Sequence, residues 1–203
     1  MASVIISGDT SGSVTLSAPA TAGSNTIVLP SGSGTLTLPT GTATITANGL
    51  NSNIVSATSQ TASGTSISFT GIPSWAKRIT VILNAVSVNG STTPAMNIQI
   101  GSGSLTTTGY SSLGTAIATN GFHTSSTTGF VIRGSGSAAV FSGTMTLVLL
   151  SGNTWVSNHT VSIPAGNTSF LGGGVLALSG TLDRLAIVTT DTMNGGSFNI
   201  LYE

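Results

Sequence analysis

The sequence predicts an all-β protein whose main part is a jelly-roll-like β-sandwich. Ser and Thr supply roughly a third of the chain and Gly another 27 of its 203 residues, a composition that favours strands and turns. Apolar and polar residues alternate with period two over many short segments. Strong helix formers are scarce, since Glu and Lys each occur once, at Glu203 and Lys77.

The first block, residues 1–58, consists of short alternating units separated by Ser-Gly and Ala-Gly turns. Each unit has an apolar face only one strand wide, and an isolated two-stranded hairpin is marginally stable at best. Neighbouring chains would have to supply the missing core. We therefore predict an intertwined β-rich stalk or anchor here, built from units such as Val14–Leu16, Thr26–Pro30, Thr35–Pro39 and Thr42–Thr46.

A turn-rich break at Asn48–Asn53 and a polar run over 56–66 separate this block from the second domain, predicted over residues 59–203. About ten strands with Gly, Ser and Asn turns over this length favour a jelly-roll-like sandwich. The predicted strands are Ser66–Thr70, Arg78–Val88, Ala95–Gly101, Gly129–Arg133, Gly143–Ser151, Thr154–Ser157, Val161–Ile163, Phe170–Ser179, Asp183–Thr190 and Gly196–Tyr202.

Charge is nearly absent from the chain. Charged residues make up 4%, balanced to a net charge of zero, where a soluble domain carries about a quarter. The mean hydropathy is +0.43. A surface with so little charge promotes association, so we expect this chain to be part of an assembly.

The same composition excludes several classes of protein. Ordered apolar patterns argue against disorder, and apolar runs such as Ile79–Leu83 are too short for a membrane-spanning helix, so no membrane insertion is expected. Lys77 and Arg78 form the only basic pair, too few cations for nucleic-acid binding. Cysteine is absent and no secretory signal precedes the first strand pattern, so release by cell lysis would suit this chain.

Groups for catalysis are few, and we expect no catalytic residue, no cofactor and no metal site. Asp183 and Asp191 are the one near pair of acids, and eight residues of strand would hold them about 26 Å apart, too far for glycoside cleavage. The glycine-rich run at Gly134–Ala139 lacks the following helix of a dinucleotide site. Asp183 is predicted to pair with an arginine, within the chain or between chains.

Aromatic residues suggest two roles. Trp75 and Trp155 are predicted to anchor the core or a subunit interface. Tyr110, Phe122 and His123 lie in the Gly/Ser/Thr-rich stretch Thr106–Gly129, where loops could display them for receptor contact. Simple packing of that loop is the competing interpretation.

Three stretches of the second domain together resemble a module that recurs at the end of bacteriophage fibre and tail-fibre proteins. They are Phe69–Val81 (FTGIPSWAKRITV), then Ser142–Leu147 with Thr154–Val156, and finally Leu178–Leu185 with Gly196–Glu203. The resemblance covers about two thirds of the chain. The first block is similar to segments that anchor such modules. The resemblance implies a homotrimeric virion fibre with an N-terminal attachment segment and a C-terminal knob.

Under this resemblance the first strands dock on other virion proteins of the capsid or tail, through Val4, Ile5, Ile6, Val14 and Leu16. The knob would meet a glycan or protein of the host surface. Fewer than 60 residues precede the knob, which limits the spacer to below about 200 Å and favours a short fibre. The alternatives are a polysaccharide depolymerase, a capsid decoration without receptor binding, and a bacterial adhesin or lectin.

Overall fold

A computed structural model describes residues 3–7, 13–17, 54–89, 95–117, 121–133 and 139–203. The chain divides into two compact units, Met1–Thr44 and Ile45–Glu203. The second unit includes residues 55 and 56 in its sheet, just before the predicted domain boundary at 58/59, which stays a prediction.

The elements described are strands joined by turns, with one 3-10 turn at Pro164–Gly166. In chain order the strands are β1 Ser3–Ser7, β2 Ser13–Ser17, β3 Val55–Ser56, β4 Gln60–Thr61, β5 Gly64–Thr70, β6 Arg78–Asn89, β7 Ala95–Ser102, β8 Ser104–Leu105, β9 Ser111–Ile117, β10 His123–Ser126, β11 Phe130–Arg133, β12 Val140–Ser151, β13 Thr154–Ile163, β14 Thr168–Ala177 and β15 Arg184–Tyr202.

In the first unit, β1 and β2 form an antiparallel hairpin. Val4 pairs with Leu16, Ile5 with Thr15, and Ile6 with Val14. The five residues predicted to attach the chain to the virion thus lie on two paired strands. The later units predicted for this block, from Thr26 to Thr46, lie outside the described residues.

In the second unit, 13 strands form one antiparallel sheet. Its main path runs β10-β9-β14-β13-β12-β6-β15-β7-β11, and β3, β4 and β5 pair with β15 along that strand's other edge. Buried and exposed residues alternate along β6, β9 and β13, as expected for a sheet with one face on a core.

The long strand β15 folds back on itself and so creates two layers. Thr70 pairs with Arg184, and Ile79 pairs with Tyr202. The connection from Thr70 to Ile79 spans at most about 32 Å, whereas a straight strand from Arg184 to Tyr202 would span about 61 Å. The pairing with β6 is irregular between Met193 and Ser197, and Gly196 there has a φ of +87°, which marks the bend.

The sheet curls until its ends almost meet, because β11 lies against β9, β10 and β14. Side-chain and loop hydrogen bonds join the ends. The buried hydroxyl of Ser112 accepts a hydrogen bond from the Val131 amide at 3.0 Å, and the Tyr110 amide donates to the Thr127 carbonyl at 3.2 Å. The space between the layers holds the core, with the rings of Phe130, Phe141, Phe170 and Phe198 fully buried.

The prediction of an all-β protein is confirmed, and the second unit forms one nearly closed sheet. The jelly-roll-like sandwich stays a prediction. Two details differ from the expected strands. The predicted loop Thr106–Gly129 contains β9 and β10, and two pairs of predicted strands are continuous, as β13 and as β15. In each case, hydrogen bonds to a neighbouring strand keep the backbone extended where its residues are polar or glycine-rich.

Candidate functional site

Three valines form an exposed row across the sheet. Val148 of β12 pairs with Val156 of β13, which pairs in turn with Val175 of β14. Their exposed fractions are 43%, 40% and 40%. Directly paired β-branched side chains contact one another across strands, so the row is a continuous apolar ridge.

Three further apolar side chains widen this ridge towards β9. Leu171 lies on the same side of β14 as Val175, and Leu113 and Ile117 of β9 pair with Gly173 and Ser169 of that strand. All three are exposed. We call the six residues Val148, Val156, Val175, Leu113, Leu171 and Ile117 the outer face.

The strands that carry the outer face lack formal charge. No Asp, Glu, Lys or Arg occurs in β9, β12, β13 or β14. Four strands of about ten residues present roughly 650 Å² of flat area, close to the ~800 Å² that each partner contributes to a standard protein interface. The six apolar side chains occupy part of this area, and exposed apolar patches are typical of interaction surfaces.

Beneath the outer face lies His159, which points into the core from β13. Its ring nitrogens are buried and have no hydrogen-bond partner among the described residues. Burial lowers the pKa of His159 from 6.5 to about 4, because desolvation disfavours the charged imidazole. The ring fits because Gly172 pairs with His159, and a Cβ at residue 172 would collide with the ring and with the Leu113 carbonyl oxygen.

A second surface feature is a cleft of about 260 Å³ at the open edge of the two layers. Its lining consists of Ala57, Thr58, Gln60, Ser68–Ile72, Ile200 and Tyr202. The Gln60 side-chain amide donates to the Ser68 carbonyl at 2.8 Å. We call this the edge cleft.

Trp75 lies beside the edge cleft, at the tip of a turn. The Ala76 amide donates to the Pro73 carbonyl at 3.0 Å, which closes a β-turn. Ile72 and Ala76 on either side are buried, while Trp75 is 50% exposed. Its ring centroid lies 5.7 Å from that of Tyr202, so two aromatic rings adjoin the cleft.

Glu203 holds this corner together. Its carbonyl oxygen accepts hydrogen bonds from the amides of Lys77 and Arg78, and its carboxylate pairs with the Arg78 guanidinium. The adjacent Tyr202 ring is thereby held beside Trp75.

The predicted receptor-contact residues occupy three different environments. Tyr110 is 2% exposed, and its hydroxyl hydrogen-bonds to the main chain of Ile100 and Thr106; burial raises its pKa to about 12. Phe122 is half-buried and packs towards Phe170. His123 is exposed at the start of β10. The position of Tyr110 gives it a packing role, and receptor contact by this segment stays a prediction.

Trp155 is buried in the core, as one of its two predicted roles requires. Trp75 is not a core residue. The sequence analysis does not single out the edge cleft, because Trp75 and Tyr202 are far apart along the chain and only the pairing of β6 with the end of β15, Ile79 with Tyr202, brings them together.

The two acids considered for catalysis are not brought together. Asp183 pairs with Arg184 at 2.8 Å, and the hydrogen bond from Arg184 is the largest cause that lowers the pKa of Asp183. Arg184–Thr189 pairs without interruption with β7, which places about 17 Å of strand between Asp183 and Asp191. Within the described part of the chain, no three potential metal ligands cluster, and no helix has the length and hydropathy of a membrane span.

Comparisons of the chain with protein-family models, with curated proteins and with solved structures gave no significant match.

Proposed function

We propose that this chain is a structural component of a bacteriophage virion, a short homotrimeric fibre bound by its first strands to the capsid or tail. Its second unit would be the knob, a jelly-roll-like domain that adheres to the host surface. The proposal assigns it no catalytic activity and no cofactor.

The observation that carries this proposal is the outer face. Six exposed apolar side chains lie on four adjacent strands without a formal charge. A second copy of the same surface would meet no like charge there, and association would bury the valine row. Identical subunits around a closed symmetry axis are the common way to cover such a surface, and the threefold order follows the resemblance to phage fibres.

The first unit also favours assembly. Its described part is a two-stranded hairpin of five-residue strands, and such a hairpin is marginally stable alone. Packing against neighbouring chains or against a virion protein would supply the missing contacts.

Sedimentation of the full chain tests the assembly. We expect a species of three times the 20.0 kDa chain mass. Val156→Lys places a charge at the centre of the valine row and should raise the dissociation constant at least tenfold, because an unpaired charge would be buried. Val156 is half-exposed in the single chain, so the variant should keep its fold.

Thr65→Lys is the matched control, since it adds the same charge at an exposed position of β5, away from the outer face. A stable 20.0 kDa monomer, or a trimer that Val156→Lys leaves intact, would contradict the proposed interface. Electron microscopy of particles assembled with the tagged chain distinguishes capsid from tail attachment, and absence of the tag from the particles would refute the virion role.

A further inference from the structure

The edge cleft and its aromatic neighbour have the chemistry of a small-molecule site. The cleft is concave and about 260 Å³ in volume, below the ~300–1,000 Å³ of drug-sized pockets. It suits a ligand of one or two rings. A longer ligand would extend over Trp75 and Tyr202.

The polar groups at the cleft are hydroxyls and an amide. Thr58, Ser68 and Thr70 are exposed there, and Gln60 is half-buried. Hydroxyls donate and accept hydrogen bonds, so these groups complement a ligand that itself carries several hydroxyl groups. The bond from Gln60 to the Ser68 carbonyl holds the amide in place before any ligand arrives, which lowers the entropic cost of binding.

The lining of the cleft is electrically neutral. None of its ten residues is Asp, Glu, Lys or Arg. The nearby guanidinium of Arg78 is paired with the carboxylate of Glu203. A phosphate, sulfate or carboxylate would find no cation in the lining, so the chemistry favours an uncharged ligand.

Trp75 supplies an apolar platform in a fixed position. The turn from Pro73 to Ala76 and the buried side chains of Ile72 and Ala76 anchor it, and contact with the Tyr202 ring orients it. An exposed, rigid aromatic ring offers contact area at low entropic cost. A sugar carries many hydroxyl groups, and the C–H groups on one face of its ring can pack against the Trp75 ring.

We infer that the edge cleft binds a neutral saccharide, with its hydroxyl groups towards Gln60, Ser68 and Thr70 and a sugar face on Trp75. The claim that this saccharide belongs to the host surface rests on the proposed function. The binding itself depends only on the second unit.

A printed array of neutral and anionic oligosaccharides, probed with the full chain, tests the inference. We expect binding to neutral members of the array. In titrations with a bound oligosaccharide, Trp75→Ala should lower affinity at least tenfold, and Gln60→Ala at least threefold. The fluorescence change on binding should come from Trp75, since Trp155 is buried.

Leu150→Ala is the matched control, because Leu150 is 69% exposed on β12, outside the cleft lining, and should retain full affinity. Circular dichroism confirms the fold of each variant. No binding to any neutral saccharide, binding to anionic saccharides alone, or affinity unchanged in both Trp75→Ala and Gln60→Ala would overturn the inference.

The same titration on the Val156→Lys protein separates this inference from the fibre proposal. Retained single-site affinity in a dissociated chain would leave the cleft assignment intact. A chain that never assembles but binds saccharide through Trp75 would refute the fibre and keep the saccharide site.

Discussion

The outer face and the edge cleft both expose apolar side chains, but their shape and chemistry differ. The outer face is broad, aliphatic and set by direct cross-strand pairs such as Val148 with Val156. The edge cleft is concave, aromatic at its rim and lined with hydroxyls. The contrast shows how one sheet can carry two surfaces of different chemistry, one broad and aliphatic and one concave and lined with hydroxyls.

The largest expected effect lies beneath the outer face. Gly172→Ala would place a Cβ against the His159 ring and the main chain of β9, and should lower the free energy of unfolding by about 4 kcal/mol, because overpacking against backbone cannot relax cheaply. Urea titration measures this change.

The control for this substitution is Gly152→Ala. Gly152 has a φ of +53° and no atom within 4 Å of an added Cβ, so only conformational strain of about 1 kcal/mol should appear. Equal effects at the two positions would show that close packing beneath the outer face is not the cause.

Acid should lower the free energy of unfolding, because the buried side chain of His159 would have to take up a proton. Its pKa is about 4 in the folded chain and 6.5 without burial, so between these values the unfolded state binds more protons. The stabilising effect of the neutral imidazole is complete above pH 6.5 and is lost as pH falls to 4, by about 3 kcal/mol in total.

Urea titrations between pH 7 and pH 3.5 measure this loss, and His159→Met provides the comparison because its side chain does not titrate. A variant with the same pH slope as the wild type would contradict the assignment. Saccharide affinity at pH values where the chain stays folded should change little, since no Asp, Glu or His lines the edge cleft.

The smallest effect is expected beside the edge cleft. Glu203→Gln removes the ion pair with Arg78, whose side chain is 54% exposed against 26% for Glu203, and should cost only about 0.5 kcal/mol. The main-chain bonds from Lys77 and Arg78 to Glu203 remain. Urea titration in low salt measures the loss, and 0.5 M NaCl should shrink it; a loss above about 2 kcal/mol would mean that the pair holds the corner together.

Strand positions could largely be predicted because the alternation of apolar and polar residues indicates which side chains face the core. Arg78–Val88, predicted from its apolar positions, corresponds to β6 with a one-residue extension. The segment Ser111–Ile117 was missed because glycine and small polar residues weaken its pattern. Ser112, Gly114 and Ala116 are buried there, and they allow β11 to approach closely, a requirement that only the curled sheet reveals.

Composition and period-two alternation were enough to predict the all-β class, and the scarcity of charge was enough to predict assembly. The tertiary structure decided which exposed residues share a surface. Val148, Val156 and Val175 meet because three strands pair in one register, and Trp75 meets Tyr202 because β6 pairs with the end of β15. The second contact joins residues far apart in the sequence, and the first depends on the register of two successive strand pairs, which alternation within a single strand does not fix.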